Sequence, residues 1–137
     1  LRLFGLDSQG ALLWSKAHGN EKYRFAPDYL VSRSFYKDGN HLFYAGLVID
    51  SNDVFICTLT KFDLSGNQIW HKSLINPKGL ILAHTVTKST DGGLLVSADI
   101  TDTIAAVHPG LLIKLDQAGN ILWQKEFHKN APDIIET

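Results

Sequence analysis

Six histidines, one cysteine and a scatter of carboxylates are the side chains of this 137-residue chain that could do chemistry. The histidines stand at 18, 41, 71, 84, 108 and 128. None forms a His-x-His or His-x-x-x-His pair with a third ligand close by, so zinc has no support in their spacing. Asp50, Asn52 and Asp53 in VIDSNDV have the oxygen donors of a piece of calcium loop. The Gly and distal Glu that complete such a loop do not follow, and the segment reads as a polar turn. Asp99 and Asp102 read the same way. Cys57, in the apolar run VFICTL, has the setting of a small buried hydrophobe rather than a nucleophile. Gly92-Gly93 is not followed by Gly-Lys-Ser/Thr, and neither Gly-x-Ser-x-Gly nor a dinucleotide fingerprint occurs. On these residues we expect no catalytic group, no metal and no cofactor.

Charge excludes two partner classes. Thirteen Lys and Arg against fourteen Asp and Glu leave a formal charge of −1, and the basic residues are spread singly. Phosphate backbones and anionic membranes need concentrated positive surface, so nucleic acid is not expected as a partner. Apolar runs such as 79–83 are far too short to span a bilayer as a helix, so membrane insertion is not expected either.

What organises the chain is repetition. GLDSQGALLWSKAH at 5–18, KFDLSGNQIWHKSL at 61–74 and KLDQAGNILWQKEF at 114–127 place Asp, Gly and Trp at one spacing three times. Residues 38–74 align with 91–127 at a constant offset, pairing Asp38-Gly39 with Asp91-Gly92 and Ala45 with Ala98. APDYLVS at 26–32 is echoed by APDIIET at 131–137. Self-similarity at this period marks a repeat architecture.

Each unit reads as four short antiparallel strands. In the last copy they are 84–88, 94–98, 111–115 and 121–127, joined at Asp91-Gly92-Gly93 and at the motif itself. Asp opens a tight turn by accepting backbone N–H bonds, and Gly supplies the left-handed residue. ILWQKEF alternates with the period of a strand, and no segment has sustained helical periodicity. The recurring Trp has a packing explanation, a bolt between neighbouring units, which its strict equivalence favours over a ligand-stacking surface. The chain is expected to be all-β.

Asp-x-x-Gly-x-x-x-Trp across the last hairpin resembles the tryptophan-docking motif of PQQ-like β-propellers, with one residue fewer between Asp and Gly. It is closer to a repeat of bacterial secreted and cell-surface propellers, in which Thr/Ser-Asp-Gly-Gly precedes Leu-Ile-Lys-Leu-Asp-x-x-Gly-Asn-x-x-Trp-x-Lys. Ser89 through Gly93 and Leu112 through Lys125 match that pattern, while the first copy has Gly5 for the Lys and Ala11 for the Asn. The resemblance implies a propeller of four-stranded blades, with about two and a half blades of a partial ring here. Residues 1–18 would end one blade, 26–74 and 81–127 would be full blades, and 131–137 would begin the next. It also implies a secreted, periplasmic or cell-surface location. Two uncovered blade faces invite further blades of the same chain or further copies to close the ring.

For function the resemblance leaves two classes open. The first is a non-catalytic scaffold whose loops, 19–27, 75–80 and 129–132 with 48–53 and 100–109, present a surface to a protein or glycan. Tyr23, Arg24 and Phe25 are its expected anchor, since Tyr and Arg are enriched at binding hot spots. The alternative is a PQQ-type quinoprotein dehydrogenase or another propeller enzyme with its site largely outside this segment. No acidic cluster on 29–35 or 84–88, and no vicinal Cys pair, supports that alternative.

Overall fold

The computed structural model describes residues 1–19, 23–25, 34–101 and 108–128. Among them every regular element is a strand, as the alternating pattern requires. Strands β1 (Arg2–Leu6) and β2 (Leu12–Ala17) form an antiparallel hairpin. A second sheet holds β3 (Tyr23–Phe25), β4 (Ser34–Asp38), β5 (His41–Asp50), β6 (Phe55–Asp63) and β7 (Gln68–Leu74). The third is a four-stranded antiparallel meander of β8 (Leu80–Lys88), β9 (Leu94–Thr101), β10 (Gly110–Leu115) and β11 (Ile121–Phe127). This third sheet is the expected unit, with its first strand extended four residues upstream of His84.

The second sheet departs from expectation at its first strand. Where one outer strand is expected, two short ones share the edge: β4 pairs with His41–Ala45, while β3 pairs with Val48–Asp50 at the other end. Residues 26–33 and 131–137, which carry the echoed APD motif, lie outside the described residues.

Five hairpins share one turn. At Asp7–Ala11, Asp50–Val54, Asp63–Asn67, Ser89–Gly93 and Asp116–Asn120, the first N–H donates to the fifth carbonyl and the fourth N–H to the first. The fourth residue is left-handed each time: Gly10, Gly66, Gly92 and Gly119, and in one turn Asp53 at φ 61°. In the Asp50 turn the carboxylate Oδ1 accepts from Asn52 and Val54 N–H at 2.8 and 3.0 Å. VIDSNDV is thus the repeat's own turn with Asp in the glycine position. Asp53→Gly should relieve the left-handed strain and stabilise the fold by about 0.5 kcal/mol, read as a higher urea midpoint at unchanged slope.

The sheets stack face to face, and alternation along each strand decides which neighbour a side chain meets. Toward the third sheet the second presents Phe43, Ala45, Leu47, Cys57, Leu59 and Leu74, all buried. They meet Val96, Ala98, Ile100, Leu111, Ile113 and Leu115 of the third sheet. Toward the first hairpin the second sheet turns Leu42, Tyr44 and Phe62, which pack with Leu1, Leu3 and Trp14.

This packing corrects the constant-offset alignment. Lys61 and Lys114 correspond, 53 residues apart, yet their partners on the adjoining strand are Phe43 and Leu95, 52 apart. On the next strand out Tyr36 and Thr87, 51 apart, correspond. One residue is added in each of two connections: the Asp38–His41 turn has two loop residues where Ser89–Gly93 has three, and the paired positions Leu95 and Lys114 lie one residue further apart in the chain than Phe43 and Lys61. A one-residue slip moves a side chain to the other face. Ala45 and Ala98 match in sequence but face each other from opposite sheets, Ala45 forward and Ala98 back.

Candidate functional site

Several of the reactive side chains are engaged within the fold. Cys57 is buried between the sheets, and burial pushes its thiol up to about 12, so it stays protonated and unreactive at neutral pH. His84 Nε2 meets Asp99 Oδ2 at 2.8 Å on the outward face of the third sheet, beside a 2.8 Å Thr85–Ser97 hydroxyl pair. The Ser97 hydroxyl is engaged by Thr85. Among the described residues no three His, Cys, Asp or Glu gather closely enough to hold a metal ion. A cleft of about 180 Å³ between the two larger sheets is lined by Asp38, His41, Lys61 and Lys88. Its Asp38–Lys88 pair, at 2.9 Å, joins the two sheets.

Of the expected binding loops, 75–80 is a clasp. Lys78 Nζ reaches Glu126 at 2.7 Å, and Asn76 Nδ2 lies 3.2 and 3.4 Å from Gln124 and Glu126. Burial pushes the Glu126 carboxyl up, but the hydrogen bonds from Lys78 and Asn76 outweigh it and leave the group below its usual range. Residues 50–54 are the tight turn described above. Most of 100–109, and all of 129–132, lie outside the described residues.

Tyr23, Arg24 and Phe25, expected in a loop over 19–27, instead form β3, opposite Asp50, Ile49 and Val48. They are brought beside the Asp50 turn, on the edge of the sheet opposite β7.

What the structure assembles most fully is the repeated motif. Trp14 of the first unit lies over Gly66 of the second, and Trp70 of the second lies over Gly119 of the third. A Cβ on either glycine would overlap the indole, and both glycines are left-handed, at φ 75° and 82°. Glycine therefore serves twice: it turns the chain, and it leaves a bare platform. Two residues past each Trp, Lys16 Nζ bonds Asn67 Oδ1, and Lys72 Nζ bonds Asn120 Oδ1 at 3.4 Å. Each Asn also donates Nδ2 to its own turn Asp, Asn67 to Asp63 at 2.7 Å and Asn120 to Asp116 at 2.9 Å. Hydrogen bonds from those asparagines lower the carboxyls of Asp63 and Asp116. Every fixed letter of the motif has a contact: Asp, Gly and Asn build a seat, while Trp and Lys fill the next one.

The asparagine and lysine roles were not legible beforehand, because they cross between units; their recurrence in register was the only signal. Gly5, which stands where the other copies have Lys, lets the Trp14 indole lie directly across β1. In the third copy Trp123 is 37% exposed, and Lys125 Nζ sits 5.1 Å over its ring.

Lys114 is buried and bonds Asp91 at 2.5 Å. That bond, with the Gly93 N–H, holds Asp91 down to about 2. A depressed carboxyl gives stability that is complete above its unfolded value near 3.8 and is lost toward pH 2. Two histidines titrate higher. His18 packs tilted against Phe62, with ring centroids 4.8 Å apart, and His71 Nδ1 lies 2.8 Å from Thr60 Oγ1; burial lowers both. A neutral, lowered imidazole contributes fully above the unfolded value of 6.5 and loses that contribution below it. The melting temperature should therefore fall between pH 7 and pH 5, and His18→Phe should flatten that slope.

No protein-family model matches the chain, and a search of curated proteins finds no match.

Proposed function

We propose that this chain is a run of β-propeller blades that serves as a non-catalytic scaffold, secreted, periplasmic or at the cell surface, and binds a protein or glycan. The observation that carries the proposal is the unit-to-unit seating of Trp14 on Gly66 and of Trp70 on Gly119. Identical docking steps between face-to-face antiparallel sheets are how radially arranged blades bury both faces. Cys57 is inert in the core, and the Ser97 hydroxyl is spoken for.

The binding edge is the one where β3 runs beside the Asp50 turn, with Tyr23, Arg24 and Phe25 as anchor. Tyr and Arg combine apolar area with donors that suit either a sugar face or a peptide. The test is a glycan array and an extracellular-protein panel, probed with native chain and with Tyr23→Ala and Arg24→Ala. A ligand held by the native chain and weakened about tenfold or more by each substitution is the expected result. Equal binding by all three would overturn the anchor, and turnover of any panel member would overturn the non-catalytic scaffold.

A further inference from the structure

Among the described residues the docking chain of indoles and glycines has two open ends. Gly66 and Gly119 each carry an indole, whereas among the described residues nothing lies within 4 Å of where a Cβ on Gly10 would be. Gly10 has the same left-handed backbone, φ 85° against 75° and 82°, so its seat has the shape of the other two. At the other end Trp123 has no glycine beneath it among the described residues and keeps its own Lys125 over the ring.

The faces around these two positions repeat the internal joint. Beside Trp123 the third sheet turns outward Leu112, Lys125 and Phe127, which hold the places of Leu59, Lys72 and Leu74 in the buried joint. Beside Gly10 the first hairpin turns outward Phe4 and Leu6, 57% and 56% exposed, in the places of Ile113 and Leu115. Those two counterparts are both fully buried against the second sheet. Among the described residues the third sheet therefore presents the front of a docking joint and the first hairpin presents its back.

We propose that a second copy of this chain closes that joint head to tail, with Trp123 of one copy seated on Gly10 of the next. This deepens the scaffold function and rests on its unit-to-unit docking. The contact is heterologous, since unlike faces meet, so an open assembly keeps one unfilled face of each kind until it closes. The intermolecular joint lacks one bond of the internal ones: Ala11 replaces the Asn that receives Lys, and Lys125 finds no acceptor there. It is therefore weaker than the joints inside a copy.

Sedimentation velocity over a range of concentrations tests this, with Phe4→Glu and Trp123→Glu as the two single-face variants and Leu6→Lys with Phe127→Lys as a second pair. The native chain is expected to sediment above its 15.2 kDa monomer in a concentration-dependent way. Each single-face variant should remain monomeric with an unchanged melt. An equimolar mixture of Phe4→Glu with Trp123→Glu should regain dimers, because each supplies the face the other has lost. Ala11→Asn should tighten association several-fold. A native chain that stays monomeric at every concentration overturns the proposal, and the melts of Trp70 and Gly119 variants then show separately whether the docking of units still holds. Self-association of Phe4→Glu alone, which would need like faces to meet, overturns it as well.

Discussion

Trp70→Ala is expected to lower the unfolding free energy by about 3 kcal/mol, while Trp123→Ala changes it by less than about 1 kcal/mol under monomeric conditions. The two residues hold the same letter of the same motif, on equivalent strands with equivalent partners, Lys61 and Lys114. Only their surroundings differ. Trp70 lies over Gly119 and packs with Phe43 at 6.0 Å between centroids, at the junction of the two larger sheets. Its removal opens a void that the flanking strands, held by their ladders, cannot fill. Trp123 is covered by its own sheet and by Lys125, with no glycine of another unit beneath it among the described residues, so truncation opens no void between sheets. Chemical denaturation of both variants reads the difference directly.

Gly119→Ala is the second large effect, at about 3 kcal/mol, against about 1 kcal/mol for Gly10→Ala. Both glycines are left-handed, at φ 82° and 85°, so an added Cβ strains either backbone similarly. At Gly119 the new carbon also meets the Trp70 ring, 2.9 Å away, and must lift the indole from its seat. At Gly10 there is open space among the described residues. The two positions should therefore be strongly coupled. In a Trp70→Ala background Gly119→Ala should cost only the backbone strain of about 1 kcal/mol, since no indole remains to be displaced. Simple additivity of the two substitutions would separate strain from docking and count against the seat.

Much of this fold was legible in the sequence because the physics behind it is local. The Asp-x-x-Gly turns announce themselves, since Asp satisfies backbone donors and Gly takes the left-handed position whatever lies around them. ILWQKEF alternates visibly because one face is buried and the other is not. Registry between sheets was a different matter. Ala45 aligned with Ala98, and only the pairing of Phe43 with Lys61 against Leu95 with Lys114 shows that an added loop residue has turned them to opposite faces. Connections are free to change length while strands are not, so an ungapped alignment can be right in two strands, wrong by one in the next and wrong by two in the last.

The proposed binding side was least legible. Residues 23–25 had no alternation long enough to mark a strand, and their pairing with Val48–Asp50 depends on a β5 that extends five residues past the end of its pairing with β4. Residues 75–80 looked variable because their partners, Gln124 and Glu126, are some fifty positions away in the next unit. Asn67 and Asn120 hid their role for the same reason: each serves its own turn and the preceding unit's lysine at once.

Proton NMR of the monomeric Trp123→Glu variant tests the stacking of indole on glycine most directly, because a ring over a Cα shields its protons. The Hα resonances of Gly66 and Gly119 should lie well upfield and show cross-peaks to Trp14 and Trp70, while those of Gly10 keep ordinary shifts. Ordinary shifts at Gly66 and Gly119, with no cross-peaks to either indole, would contradict the docking of one unit on the next.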